Sequence, residues 1–254
     1  MTSEATLCSV EEILPMRELY RQEMRCQITK DSIPQREGWV LAYLLTLNGT
    51  VVGYALVAIA GPWKDKPTAI EYYVLPMYRT RVFDLFSAFI VAGSVRFIEI
   101  QSNDPLLTTM LLTWSTDAVS ESIVFHDRIL TALPSEGTVL RRVTPLEEAR
   151  RCMERRSGGG EWVLELDGST VATGGILFHY NRPYGDVYME VLEPYRRRGF
   201  GSYLVQELKR VCYEELHSIP CARCSVTNVA SRKTLQKAGF VPCAHILTGS
   251  ITLP

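Results

Sequence analysis

The same pattern of strands and turns occurs twice along this 254-residue chain, and this repeat limits the possible folds more than any other feature. Asn48-Gly49 separates two apolar runs in the first copy, and Asp167-Gly168 separates two in the second. Such dipeptides favour a two-residue hairpin, because both residues of that turn adopt a positive φ. A third apolar run follows each hairpin and ends near a Tyr-Arg pair, Tyr78-Arg79 or Tyr195-Arg196. The repeat therefore predicts two lobes with one topology.

A helix is predicted after the third strand of each copy, from apolar residues at helical spacing. Each helix precedes a short strand and then an asparagine, Asn103 or Asn228. The order β-β-β-α-β-α predicts an α+β (mixed α/β) fold, in which each lobe has a mixed, mostly antiparallel sheet flanked by helices. The predicted apolar stripes of the two helices are Phe83, Phe86, Ile90 and Val91 in the first copy, and Tyr203, Leu204, Leu208 and Val211 in the second.

A turn-rich break from Pro134 to Gly137 predicts the boundary between two domains, residues 1–135 and residues 136–254. Proline starts helices readily, and a Ser-Gly-Gly-Gly run is typical of a flexible connector. The elements predicted after the break are a strand from Thr138 to Val143, a basic helix from Pro145 to Arg156, and a connector at residues 157–160.

The composition is that of an ordinary globular protein, with 46% apolar residues, 22% charged residues and a net charge of -1. A chain near neutrality has no general attraction for nucleic acid, so any phosphate must be recognised at a local site. The longest apolar runs fall short of the roughly 20 residues of a membrane-spanning helix. The acidic residues Glu4, Glu11 and Glu12 are unlike a signal peptide. We therefore expect a cytoplasmic protein without a nucleic-acid or membrane partner.

Seven cysteines are scattered along the chain, which is unlike the dense, even sets of small disulfide-bonded domains. Cys221 and Cys224 form one CxxC motif, but a zinc site takes about four ligands, and the sequence contains no second CxxC and no spaced His pair. We predict free thiols and no metal, and we interpret Cys224 as a packed strand residue.

The most informative segment is Arg196-Arg197-Arg198-Gly199-Phe200-Gly201-Ser202, which lies between a predicted strand and a predicted helix. Glycines let a backbone turn tightly and approach a ligand closely. The start of the following helix offers unpaired N–H groups and a partial positive charge to a phosphate. The arginines add charge suited to a polyphosphate, although a Gly-x-Gly motif alone is also compatible with a surface turn.

In this position Arg196-x-x-Gly199-x-Gly201 resembles the pyrophosphate loop of the GNAT superfamily of acetyl-CoA-dependent N-acetyltransferases. A second segment, Asn228-Val229-Ala230-Ser231 followed by Leu235, Lys237 and Gly239-Phe240, resembles that family's Asn-led helix. The resemblance covers residues 138–254, and the internal repeat extends it weakly to the first lobe. It implies a tandem, two-lobed GNAT architecture that uses acetyl-CoA as its co-substrate.

The resemblance also implies roles for individual residues. The backbone N–H groups of Arg198, Gly199, Phe200, Gly201 and Ser202 would hold the pyrophosphate of acetyl-CoA. Val191 would pair its backbone with the pantetheine arm, and Asn228 and Ser231 would contact the same arm. Arg232, Lys233 and Lys237 either reach the phosphates or carry solvated charges on an exposed helix face.

No motif for a covalent acyl-enzyme is present, so we expect direct transfer of an acetyl group to a primary amine of a small molecule or peptide. The amine needs a base, and Glu190 beside Val191 is the first candidate. Glu190 could instead be a solvated strand residue, and Asp186, His179 or a water chain are the alternatives. The family often has a tyrosine acid where this chain has Leu235. Tyr188 is therefore the candidate acid, unless the sulfur leaves unassisted.

The first lobe has Val82 and Asp84 where the second has Gly199 and Gly201. A β-branched residue resists a positive φ, and a carboxylate repels phosphate. We therefore predict a degenerate first lobe that shapes the acceptor pocket or supports the sheet. Two other functions stay open, a non-catalytic acyl-CoA sensor or scaffold and a structural protein with two inactive lobes. The acceptor, the acyl length and the oligomeric state are left open.

Overall fold

The computed structural model describes residues 2–144 and 161–252 of the chain. Two compact units are present, one made of residues Met1–Ser122 and Ala244–Pro254, the other of residues Ile123–Cys243. These units divide the chain at other residues than the domains 1–135 and 136–254 expected from the sequence, and those domain bounds stay a prediction. The helix and connector predicted between Pro145 and Gly160 lie outside the described residues.

The first unit is a mixed sheet with helices. Its sheet follows the order β1-β2-β3-β4-β5-β12, in which β4 and β5 are parallel and the other neighbours are antiparallel. The elements that contribute to it are β1 (Ser3–Cys8), α1 (Val10–Met24), β2 (Val40–Leu47), β3 (Thr50–Ala58), β4 (Thr68–Val74), α2 (Val82–Ala92), β5 (Phe97–Gln101), α3 (Pro105–Trp114) and the last residues of β12 (Phe240–Ser250).

The buried face of α2 differs from the predicted stripe. Phe86 and Ile90 are buried as predicted, but Phe83 is 48% exposed and Val91 is 76% exposed. Nearly every residue of this helix is apolar, so spacing alone could not single out the inner face. Contact with the sheet decides it, and the fully buried residues that complete the face are Leu85 and Phe89.

A cluster of paired charges lies inside the first unit. Arg17 is 1% exposed, and its Nη2 atom lies 2.6 Å from Oε1 of Glu71 and 3.2 Å from Oδ1 of Asp31. The Tyr54 hydroxyl donates to Glu71 at 3.0 Å. Because burying an unpaired charge is very unfavourable, removing any one partner of this cluster is expected to destabilise the unit.

Asp104 makes the stability of the first unit dependent on pH. Its Oδ1 atom accepts from the Leu107 N–H at 3.1 Å, and its Oδ2 atom accepts from the Tyr20 hydroxyl at 2.9 Å. Burial raises the pKa of Asp104 from 3.8 to about 6. The folded state therefore holds this proton more tightly than the unfolded state. Stability from this group is fully present below about pH 4 and is lost as the pH rises through about 6.

We expect Asp104→Asn to flatten the stability profile between about pH 4 and 6, because asparagine keeps a capping oxygen but does not titrate in this range. The wild-type free energy of unfolding should lose about 2 to 3 kcal/mol to this group between about pH 4 and 6, and the variant should not show that loss. Urea unfolding at half-unit pH steps measures it. Asp65→Asn, at an exposed left-handed turn, is the control and should leave the profile unchanged. An unaltered slope in Asp104→Asn would show that another group is responsible.

The second unit repeats this topology. Its sheet has the order β6-β11-β10-β9-β8-β7, in which β10 and β11 are parallel and the ladders from β7 to β10 are antiparallel. Its elements are the last residues of β6 (Val119–Asp127), β7 (Thr138–Arg142), β8 (Trp162–Leu166), β9 (Ser169–Leu177), β10 (Tyr184–Val191), α4 (Phe200–Glu214), β11 (Ile219–Ser225), α5 (Val229–Lys237) and the first residues of β12.

The predicted repeat is confirmed in its backbone and its contacts. Asn48 and Gly49 have φ of 48° and 79°, and Asp167 and Gly168 have φ of 49° and 75°. Both hairpins also carry a bulge at the same position relative to the turn. Outside the hairpins one arginine contact recurs. The Arg79 Nε donates to the Val74 carbonyl at 3.0 Å, and the Arg196 Nε donates to the Val191 carbonyl at 3.1 Å.

A buried lysine fixes α4 against its neighbours in the second unit. Lys209 is 3% exposed, and its Nζ atom donates to the carbonyls of Ile129 and Ala238 at 2.9 and 2.7 Å. The same atom lies 2.6 Å from Oδ1 of Asp127. Because Ala238 follows α5 directly, Lys209 ties the end of α5 to α4.

In the described part of the chain, no helix is both long and apolar enough to span a membrane.

Candidate active site

Two parallel strands separate in the second unit. The β10–β11 ladder pairs Tyr184–Asp186 with Ile219–Cys221, whereas β10 stays paired with β9 as far as Val191. Among the described strands, none pairs with residues 187–191 on the side of β11. A free strand edge of this kind can hydrogen-bond an extended, amide-bearing chain.

The loop after β10 leads into the start of α4. Arg197 and Gly199 have φ of 64° and 93°, and Gly199 precedes the helix without any side-chain cap. The first helical hydrogen bond runs from the Tyr203 N–H to the Gly199 carbonyl at 3.1 Å. The N–H groups of the first turn, residues 200–202, therefore have no acceptor within the helix, and they carry its partial positive charge.

Gly201 lets three elements meet at this loop. A Cβ atom placed on Gly201 would lie 3.1 Å from Cγ2 of Val191 on β10 and 3.2 Å from Cγ2 of Thr234 on α5. The Ser202 hydroxyl donates to the Thr234 carbonyl at 3.2 Å. A side chain at position 201 would therefore crowd the junction of β10, α4 and α5.

A cleft of about 990 Å³ opens where these elements converge. Its volume is at the upper end of the range for small-molecule sites. Among the residues that line it, Glu190 is the one acid. The cations that line it are Arg196, Arg197, Lys233 and Lys237, and the uncharged residues are Met189, Val191, Tyr195, Gly199, Phe200, Gly201, Ser202, Asn228, Val229, Ala230, Ser231 and Thr234. The cleft is therefore positively charged and suited to a polyanion.

Most of the site residues chosen from the sequence line this cleft. Arg198 and Tyr188 do not. The Arg198 guanidinium lies over the rings of Tyr195 and Phe200, at 5.8 and 5.1 Å from their centroids. Residues of the cleft to which the sequence assigned no contact are Met189, Tyr195, Val229, Ala230 and Thr234, whereas Lys233 and Lys237 were left open between phosphate contacts and solvated charges. The lysines carried a sequence signal, since they are basic and lie one helical turn apart.

Tyr188 packs on the other side of β10 from the residues that face α4. Its ring lies against Gly175, where an added Cβ would come within 2.6 Å of the phenol oxygen. Burial raises the pKa of Tyr188, and the nearby Glu161 carboxylate raises it further. This phenol stays protonated at neutral pH, but it is not part of the cleft wall.

Glu190 is exposed and lies in the cleft wall next to the free edge of β10. Its neighbours Met189 and Val191 pack against the core. Asn228 begins α5, and its side-chain oxygen accepts from the Ser231 N–H at 3.0 Å. This bond fixes the start of α5, where both Asn228 and Ser231 line the cleft.

The alternative bases lie away from the cleft. Asp186 is 6% exposed, and its Oδ2 atom is 3.1 Å from Nε2 of His179 and 3.7 Å from Nε of Arg223. It stands at the last pair of the β10–β11 ladder. Leu235, at the position of the family's tyrosine, is 3% exposed and belongs to the core.

The corresponding places in the first unit are taken by the unit's own groups. The ladder between the parallel strands β4 and β5 is short as well, with two residue pairs. Asp84 stands in the first turn of α2, where its Oδ2 atom accepts from the Arg81 Nε at 2.7 Å. The Nη2 atom of Arg79 donates to Glu23 at 2.6 Å, whereas the described part of the chain offers Arg196 no acidic partner. Both arginines of this loop, Arg79 and Arg81, therefore have acidic partners within the unit.

The chain's own backbone also covers β5. Residues 27–31 are all buried. The Thr29 N–H donates to the side-chain oxygen of Gln101 at 3.0 Å, and the Gln101 amide nitrogen donates to the Gln27 carbonyl at 2.9 Å. The end of β5 in the first unit therefore bonds an internal segment.

The sequence of the second unit matches the acetyltransferase (GNAT) family over residues 127–240. These residues form a GNAT domain. They contain the free strand edge, the glycine loop and the Asn-led helix described above. A search of curated proteins found no match.

Solved GNAT structures share the fold of the entire chain. An acetyltransferase of the GNAT family from Colwellia psychrerythraea is similar with a TM-score of 0.72 and 14% identity, over 99% of this chain and 100% of that one. A GCN5-related N-acetyltransferase from Sphaerobacter thermophilus has a TM-score of 0.67 and 14% identity, over 99% and 96%. A tandem GNAT protein from the clavulanic acid biosynthesis pathway has a TM-score of 0.59 and 13% identity, over 100% of both chains. The architecture is therefore a tandem GNAT fold, as predicted.

The CxxC motif of the GNAT domain lies within β11. Cys221 and Cys224 are both buried, and three residues of extended strand separate their Cα atoms by about 10 Å. Neither cysteine forms a disulfide within the described residues, and burial raises the pKa of Cys224. Within residues 2–144 and 161–252, no group of three or more His, Cys, Asp or Glu side chains is arranged to hold a metal ion.

Proposed function

We propose that the GNAT domain binds acetyl-CoA in the cleft beside α4 and transfers the acetyl group directly to a primary amine of a small molecule or peptide. One observation carries the proposal, namely that a free strand edge, an uncapped helix start and four cations meet in a single cleft. Each of the three suits a different part of the coenzyme.

The residues present fit this co-substrate. The N–H groups of residues 200–202 and the side chains of Arg196 and Arg197 would hold the pyrophosphate. The backbone of Val191 would pair with the pantetheine amides, and Asn228 and Ser231, which also line the cleft, would contact the same arm. Acetyl-CoA supplies an activated acetyl thioester, so the protein needs only to bind, orient and deprotonate the amine.

Glu190 is the base that the geometry favours. It is the acid of the cleft wall, and it lies beside the edge that would hold the pantetheine arm. Asp186 and His179 face each other away from the cleft. A carboxylate at position 190 is therefore the group that can accept a proton from an amine entering the cleft.

We further propose that the first lobe binds no coenzyme, because Asp84 and Glu23 supply internal anions there. Isothermal titration calorimetry of the full chain with acetyl-CoA should give one site per chain. Two equivalent sites per chain would contradict both the assignment to the second unit and the degeneracy of the first.

A second candidate is an acyl-CoA sensor without turnover. The observation that favours it is that the candidate general acid Tyr188 does not line the cleft, and that Leu235, at the position of the family's tyrosine, is in the core. A thiol-release assay with a broad panel of amines separates the two functions. Tight acetyl-CoA binding with no amine-dependent thiol release would favour the sensor, and amine-dependent release would favour the enzyme.

A further inference from the structure

Two lysines of α5 form a separate positive wall of the cleft. Lys233 and Lys237 are one helical turn apart, so their side chains leave the same face of the helix. Both line the cleft. The Lys237 ammonium is 3.9 Å from the point where a Cβ on Gly199 would lie, so the wall formed by the two lysines adjoins the glycine loop.

Neither lysine is neutralised within the described chain. The ion pairs of residues 2–144 and 161–252 include neither Lys233 nor Lys237, although nearby basic residues of α4 have acidic partners. Lys209 pairs with Asp127, and Arg210 pairs with Glu207 and Glu214. Four cations that converge on one cleft give it a positive potential, which favours an anionic ligand.

The charges of the cleft and of the proposed ligand can be compared. A pyrophosphate diester carries about two negative charges, and a phosphate monoester adds about 1.5 to 2 at pH 7. Arg196 and Arg197 already supply two positive charges beside the glycine loop, which match the two negative charges of the pyrophosphate. A ligand with no further phosphate would leave two cations on the α5 wall without partners.

We propose that Lys233 and Lys237 bind the 3′-phosphate of coenzyme A, so that the cleft selects CoA over dephospho-CoA. The inference rests on the proposed function, and it adds a specificity determinant to that site. The ligand feature that the lysines recognise is a phosphate monoester, because a compact ammonium binds such a group as a point charge.

The test compares two ligands, CoA and dephospho-CoA, on the wild-type chain and on a variant without the two lysines. The dissociation constants are measured by calorimetry, so no activity is needed. The wild-type chain should bind CoA about 10- to 100-fold more tightly than dephospho-CoA. The Lys233→Gln/Lys237→Gln variant should lose most of this preference, so that the ratio of the two dissociation constants falls to within about 3-fold. Its affinity for dephospho-CoA should stay near that of the wild type.

Arg232→Gln is the matched control, because it removes one charge from the same helix at a position outside the cleft wall. It should leave the preference intact. A preference that persists in the double lysine variant, or that falls equally in Arg232→Gln, overturns the inference. Equal weakening of both ligands also overturns it, since the lysines would then act on the pyrophosphate. If the wild type binds neither ligand, the proposed function itself fails.

Discussion

Gly201→Asp is expected to weaken acetyl-CoA binding by roughly 100-fold or more while the protein stays folded. The new carboxylate would stand in the first turn of α4, among the N–H groups proposed to hold the pyrophosphate. Its Cβ would also lie 3.1 Å from Val191 and 3.2 Å from Thr234, which crowds the cleft. An acidic residue in the first turn of a helix is itself favourable for the helix and offsets part of the crowding, so we expect a larger loss in binding than in stability.

Calorimetry with acetyl-CoA measures this loss, and circular dichroism checks the fold. Gly201→Ala is the control that separates crowding from charge, because it adds the Cβ without the carboxylate. We expect the alanine variant to lose much less affinity than the aspartate variant. Unchanged binding in Gly201→Asp would show that the coenzyme does not use the start of α4.

Glu190→Gln is expected to lower kcat by about 10²- to 10⁴-fold, with the affinity for acetyl-CoA nearly unchanged. Glutamine keeps the size of the side chain and removes its basicity. A carboxylate accepts a proton only when it is ionised, so the wild-type rate should fall on the acidic side of its pH profile. The variant should lose this acidic limb.

Steady-state kinetics across pH, together with calorimetric binding, test this prediction once an acceptor amine supports turnover. Glu193→Gln is the matched control, because it removes a carboxylate three residues away that does not line the cleft. It should leave kcat and the pH profile unchanged. A near-normal kcat with the same acidic limb in Glu190→Gln would eliminate this residue as the base and direct attention to Asp186, His179 or a water chain.

Local chemistry made much of the fold predictable. Asn48-Gly49 and Asp167-Gly168 demand positive φ, and the structure has a hairpin with the same bulge at both places. Gly199 likewise adopts φ of 93° directly before α4. Turns and helix starts depend on a few consecutive residues, so one copy of a pattern is enough to reveal them.

The side on which a residue lies was harder to predict. Strand alternation separates Tyr188 and Glu190 from Met189 and Val191, but it does not say which of them reach the cleft. In the structure Glu190 lines the cleft and Tyr188 packs on Gly175. The absence of a side chain at position 175, on another strand, decides where the Tyr188 ring lies.

The sequence by itself determined the repeat, the hairpins, the glycine loop and the Asn-led helix, because each depends on neighbours in the chain. Tertiary structure decided the inner face of α2 and the positions of Lys233 and Lys237 in the cleft. It also decided that residues 244–254 complete the first unit, where β12 pairs with β5. The physical reason is common to all of these. Each depends on contacts between residues far apart in sequence, and such contacts form only after the strands and helices have packed.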